Sequence, residues 1–380
     1  MTLTSLFHRR FTQQASTEGT SLTAMIWHRF KKDWMAMASL VVIGLFVLMA
    51  LLGYLITPDH TPYCNQQYLE LATMKPLSKA TFLCVKKEGS ADTAAKGTAN
   101  PLKTMLSGAP LPYTAIPIYS HRTMGDTVVA ETYTGSVPND GETLRYAKSD
   151  VVKVQTRTFL FGTDGYGRDV LSQIMIGSRV SISVGFIAIA IALLIGITLG
   201  ALAAYYGGWV DNVIMWFINV VWSIPTVLLV IAITFALGKG FWQVFVAVGL
   251  TMWVDIARVV RGQVFSIKEK EYVEAARALG YGTPRIIFRH ILPNIFGAVI
   301  VITAANFASA ILLEAGLSFL GIGVQPPMPS WGSMVKENYG YILLDSAYLA
   351  FIPGAAIMLI VLAFMLLGNG IRNALDIKSR

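Results

Sequence analysis

An all-α polytopic membrane protein with six transmembrane helices, carrying one inserted, mainly β or irregular subdomain, is the fold class this sequence predicts. Three observations predict it. Of 380 residues, 54% are hydrophobic and only 14% are charged, where a soluble domain carries about a quarter. The charges are missing from whole segments, not thinned evenly: none occurs in Trp34–Thr57, Val180–Val210, Asn212–Gly238, Gly240–Val254, Ile291–Leu313 or Ser346–Ile371. A polar, turn-rich block over residues 58–160 interrupts this pattern.

A helix needs about 20 apolar residues to cross the hydrocarbon core. Five of the runs exceed that length, and the run over 240–254 reaches it if its helix continues toward Arg258 and Arg261 with those side chains at the interface. The spans are therefore expected at 34–57, 180–206, 212–237, 240–260, 295–316 and 346–371. The first run is too long for a signal-peptide core, and no clear small-residue cleavage site follows, so it is expected to be retained. Residues 1–33 form a polar N-terminus. Within it "LTAMIWHRFKKDW" gathers Leu22, Met25, Ile26 and Phe30 on one face, a pattern for a helix lying in the inner interface.

Orientation follows from lysine and arginine. Arg9, Arg10, Arg29, Lys31 and Lys32 precede the first span; Arg258 to Arg289 crowd the segment 261–294 and its approach; Arg372, Lys378 and Arg380 fall in the tail 372–380. The short loops on the other side hold only Lys239 and Lys336. Both termini and 261–294 are expected in the cytoplasm, and 58–179 and 317–345 outside. The net charge of +8 is thus a topology signal, and no nucleic-acid partner is expected.

In the outer block, "DTVVAETYTGSV" and "DVVKVQTRTFLF" carry β-branched and aromatic residues in partial alternation, which favours strands. The two cysteines, Cys64 and Cys84, both fall there. In an oxidising compartment a bridge between them is preferred over two free thiols. No fixed-period repeat, His-Glu-x-x-His, Gly-x-Ser-x-Gly or His/Cys metal cluster occurs, and five histidines lie scattered. No catalytic residue, resident metal or cofactor is expected. "GTDGYGRD" has glycines but lacks the Gly-Lys-Ser/Thr of a phosphate cradle.

Three features stand out in the spans. Pro225 should bend its helix. Glu314, with Asn306 eight residues before it, is an acid near membrane depth, where such groups are functional by default; it could meet a cargo amino group, sit near the outer headgroups or carry a proton. Asp255 and Arg258, three apart, are expected to pair. "VQPPMPSW" reads as a stiff structural staple with Trp331 as an interface anchor.

The segment "YVEAARALGYGTPRIIFRHILPN" is a punctuated helical hairpin. Tyr272, Ala275, Ala276 and Leu279 recur at helical spacing, Glu274 and Arg277 rim them, and Gly280 ends the helix. Thr283 and Pro284 are expected to start the next one as N-cap and first residue, and Pro293 marks its end or a kink. Two physical readings fit: a helical loop that covers the membrane surface, or a rigid knob that docks a soluble partner.

This segment resembles the EAA loop of permease subunits in binding-protein-dependent ABC importers: Glu-Ala-Ala, three residues, Gly, nine residues, Ile, one residue, Leu-Pro. Glu274, Ala275, Ala276, Gly280, Leu292 and Pro293 match at that spacing. His290 stands at the isoleucine position, as in the peptide-permease branch. Gly162–Gly185, containing Gly162, Thr163, Asp164, Gly167, Arg168 and Asp169, and Gly316–Met334 are similar to the C-type permease of dipeptide, oligopeptide and nickel importers. Residues 58–160 are outside the resemblance. It implies the type I ABC importer permease fold and a second homologous permease subunit completing the pore. It further implies two ATPase subunits that hold the ATP and Mg and grip the EAA helix, and an extracytoplasmic binding protein. Substrate would be a peptide. The rival from another class is a secondary, proton-coupled transporter or channel using Glu314.

Overall fold

The structure is a computed structural model that describes residues 22–87, 101–135, 138, 140–238 and 240–375. Arg9, Arg10, Lys239, Lys378 and Arg380, which contribute to the charge bias, lie outside the described residues.

Helix α1 (Leu22–Lys32) stops at Asp33, whose carboxylate accepts the N–H groups of Met35 and Ala36 and so caps α2 (Trp34–Ile56). Phe30 folds back under Ala36 and Ala374. The inserted block then forms strands β1 (Ser78–Lys86), β2 (Tyr113–Met124), β3 (Thr127–Thr132), β4 (Thr143–Ala147) and β5 (Val151–Phe159), with a short helix α3 (Pro101–Ser107) between the first two. They make one antiparallel sheet in the order β4-β3-β2-β1-β5. Alternation works on both faces of β1. Phe82 and Cys84 pack with Tyr68, Leu71 and Phe159, while Leu83 and Val85 pack with Ile118, Val128 and Ala130.

The helical part follows: α4 (Val170–Tyr206), α5 (Gly208–Ser223), α6 (Thr226–Leu237), α7 (Phe241–Lys268), α8 (Glu271–Ala278), α9 (Thr283–Ile286), α10 (Leu292–Phe319), α11 (Trp331–Asn338) and α12 (Tyr348–Leu375). Among the described residues five helices are long and apolar enough to span a membrane, or six if the bent pair α5–α6 is one span. That pair corrects the expectation of a single helix over 212–237. The chain turns by 94° between the two pieces, because Ile224 is extended and Pro225 has no N–H to donate.

Two further differences have local causes. Helix α4 begins ten residues before the expected span, since the Asp169 carboxylate accepts the Ser172 N–H at 2.9 Å and caps it there. The second hairpin helix does not stop at Pro293. It widens into a π turn over Ile287–Ile291 and runs on into α10. The wider turn accommodates a proline that cannot donate to Arg289.

Small residues let α4 and α7 approach closely: a Cβ on Gly200 would stand 2.5 Å from the Ala257 carbonyl oxygen. The Lys268 ammonium donates to the Ala204 carbonyl at 2.9 Å, so α4 and α7 end together. The hairpin therefore sits at one end of the bundle and the sheet at the other. Helix α10 runs back between them, and α12 closes the bundle against α2.

Candidate functional site

The hairpin is built by two stops. Gly280 adopts φ 78°, the Tyr281 N–H reaches the Ala276 carbonyl and the Gly280 N–H the Arg277 carbonyl, a Schellman ending. Gly282, not Thr283, is the cap of α9; Thr283 and Pro284 are its first two residues. The expected face is rotated. Val273 and Ala276 are buried against the bundle, whereas Tyr272, Ala275 and Leu279 point outward, with Leu279 72% exposed. Phe288, at 71%, extends this apolar surface onto the second helix, and Glu274 and Arg277 flank it exposed. The underside is held by rings. Tyr281 lies between Arg285, 4.3 Å over it, and His290, stacked at 6.0 Å, and Arg277 reaches over Tyr205 at the end of α4. Pro293 and Leu292 lie beneath, at the start of α10.

At the other end, the residues 162–169 form a joint, not a nucleotide loop. Asp164 accepts the N–H groups of Tyr166 and Arg168 at 2.9 Å and the Arg168 Nε–H at 2.6 Å. Arg168 also donates to Glu337 on α11 and to Asn65. Burial works against its charge, but Asp164 and Glu337 outweigh that and hold its proton above the usual strength. Thr163 donates to the Leu71 carbonyl and accepts the Met74 N–H. Gly162 and Gly167 take φ 75° and 71°. Arg179 was missed in the sequence reading. Its guanidinium donates to the carbonyls of Ala50 and Leu51 in α2 and of Met105 and Leu106 in the last turn of α3, tying both helices to α4 and satisfying end carbonyls of α3. The only signal is its place at the edge of a long uncharged run.

Glu314 is wholly buried. Ser181 on α4 and Ser318 donate to it at 3.0 and 2.7 Å. It pins α10 to α4. Trp331 is likewise buried and not an interface anchor: its indole N–H donates to the Ile174 carbonyl at 3.0 Å. Asp255 and Arg258 do not form the expected pair. Arg258 donates to Asn219 at 2.9 Å and lies 3.8 Å over Trp222, while Arg261 makes a two-point pair with Asp211 at 2.5 and 2.6 Å. Asn306 and Asp255 instead line one cavity of about 250 Å³ beside the Pro225 break.

The Cys64–Cys84 bridge is not present. Cys64 is buried with Tyr54 and Ile176, and Cys84 lies within the sheet core. The two thiols occupy separate clusters.

Residues 196–380 match the family described as the binding-protein-dependent transport system inner membrane component, and residues 21–76 match the N-terminal TM domain of oligopeptide transport permease C. The sheet lies between the two matches. The dipeptide transport system permease protein DppC of Alkalihalophilus pseudofirmus is 42% identical over 220 residues, which is 58% of this chain and 72% of the relative. The glutathione transport system permease protein GsiD of Pectobacterium atrosepticum is 42% identical over 217 residues, 57% and 72% of the two chains. The oligopeptide transport system permease protein OppC of Bacillus subtilis is 37% identical over 228 residues, 60% and 74%. Among solved structures, an inward-facing MetNI methionine ABC transporter has a TM-score of 0.44 at 19% identity, covering 54% of this chain and 94% of that one.

Proposed function

From the premise that this chain belongs to the family of binding-protein-dependent transport system inner membrane components, as a multi-pass permease with the type I importer fold, we propose that it forms half of the pore of an ATP-driven importer of di- or oligopeptides. The observation that carries the proposal is the hairpin surface: Tyr272, Ala275, Leu279 and Phe288 exposed on a short helix pair whose underside is locked to α4. A rigid apolar knob flanked by Glu274 and Arg277 suits the groove of a soluble ATPase subunit. Closure of two such subunits on ATP and Mg would push the knob, and the continuous helix through Leu292 and Pro293 would carry that push along α10. This chain then holds no nucleotide itself.

The hairpin end is the cytoplasmic side in this reading, since Arg29, Lys31, Lys32, Lys268, Arg285, Arg289 and Arg372 gather there. The sheet faces the compartment of the substrate-binding protein. The outward Trp209, Trp216 and Phe217 of α5 suit the second permease subunit. The rival proton-coupled reading rests on Glu314, which Ser181 and Ser318 hold between α4 and α10.

The test is uptake by the assembled transporter in proteoliposomes. Wild type should require ATP. Glu274→Lys should insert normally and lower uptake by about tenfold or more, the scale of a contact hot spot. Uptake without ATP, or unchanged by Glu274→Lys, would sink the reading.

A further inference from the structure

The acid left open in the bundle is Asp255, not Glu314. It lies near the middle of α7 (Phe241–Lys268), its side chain is exposed, and among the described residues it makes no hydrogen bond or ion pair. Arg258, one turn on, donates through one Nη to Asn219 and lies over Trp222, while its Nε–H is buried without a partner among the described residues. A carboxylate at such depth is costly unless it faces water or a partner. Asp255 lines the cavity of about 250 Å³ together with Asn306, Ser309 and Thr251, at the place where the chain turns by 94°.

Acceptors and one negative charge predominate among the polar side chains of this cavity. The Thr251 hydroxyl gives its proton to the Val248 carbonyl and the Ser309 hydroxyl to the Ala305 carbonyl. The Asn306 amide N–H₂ turns to the Met252 carbonyl at 3.5 Å. What remains is a carboxylate, two hydroxyl oxygens and an amide oxygen as acceptors, beside the Trp222 indole N–H and the Thr226 hydroxyl. The complementary group has several donors and a positive charge, as a primary ammonium does. We propose that Asp255 and its neighbours form a transit subsite for the N-terminal ammonium of the peptide, an assignment that rests on the importer reading above. The subsite holds the charged end at mid-membrane, where the break at Pro225 opens the wall of the path.

Two measurements on the assembled transporter test this. In Ser309→Cys, a cationic thiosulfonate should label faster than an anionic one, by about tenfold beyond their ratio with free cysteine, as a nearby carboxylate requires. Cys64 and Cys84 are buried and leave the background low. The bias should vanish in Ser309→Cys with Asp255→Asn and persist with Asp255→Glu. Equal rates in the Asp255 background would overturn the subsite, even if Asp255→Asn fails to assemble. Peptide uptake should fall about tenfold in Asp255→Asn and largely recover in Asp255→Glu. Wild-type-like uptake in Asp255→Asn would overturn this inference and leave the importer standing. ATP-independent uptake in wild type would overturn the importer and leave the labelling result intact.

Discussion

Gly167 and Gly280 have nearly the same backbone angle, φ 71° and 78°, at opposite ends of the bundle, and their surroundings differ completely. A Cβ on Gly167 would stand 1.7 Å from the Tyr68 carbonyl oxygen; a Cβ on Gly280 would meet nothing within 4 Å. The first glycine is required by packing and the second only by its own dihedral. The contrast extends to the regions around them. The sheet end is tied by buried ions and by hydrogen bonds among residues 59–77, 162–169 and α11. The hairpin end is tied through one apolar underside and a few rings, and its outer face is bare. One end is built to stay fixed while the other offers a surface to be gripped.

The comparison breaks first at Arg168 if it is wrong. Arg168→Met removes the charge that balances Asp164, whose side chain is only 4% exposed. Stripping one partner from a buried pair costs about 3–5 kcal/mol. The unfolding temperature of the purified protein in detergent should drop sharply. A shift no larger than that of a surface substitution would mean the joint is not what holds the sheet end.

The matched glycines sharpen the contrast. Gly167→Ala forces Tyr68 away from its bond to the Tyr166 carbonyl and should cost about 3 kcal/mol or more. Gly280→Ala should cost about 1 kcal/mol, the left-handed penalty alone. Equal losses in the same unfolding assay would show that both ends are packed alike.

How far was this legible beforehand? Most of the long apolar helices were, because absence of charge over about 20 residues has one physical meaning, although the run over 212–237 breaks into two helices. So was the hairpin, because Gly280 and Pro284 punctuate a short helical pattern. Its orientation was not: Tyr272, Ala275, Ala276 and Leu279 share a face by spacing, but Val273 is the residue the bundle buries, and only the tertiary packing decides that. Strands β3 and β5 showed in their alternation, whereas the centre of β1, Phe82–Val85, is buried on both faces and reads as a short apolar run. Among the acids the sequence pointed at Glu314 because it lies deep. Depth alone could not show that serines 133 residues back along the chain and four residues ahead enclose it, or that Asp255 is left open.

The smallest effect concerns thiols. Burial, then the charges of Asp59 and Asp169, push the Cys64 thiol well above its ordinary range, and burial raises Cys84 too. Thiolate is the reactive form, so both should resist maleimide at pH 8 in the folded transporter. An Ala275→Cys thiol on the exposed hairpin face should label within the mixing period and slow when the ATPase subunits are bound. The sign of the linkage adds a second readout. A raised thiol pKa means that the unfolded chain loses its protons first, at about pH 8.5. The contribution of Cys64 and Cys84 to stability is therefore complete below that pH and fades as pH climbs toward the folded values. Denaturant-induced labelling of these two cysteines should begin at lower denaturant at pH 9.5 than at pH 7.5. Cys64 labelling as fast as Ala275→Cys in the native state would erase the difference between the two ends, because the joint around Asp59 and Asp169 would then be opening as freely as the knob is exposed.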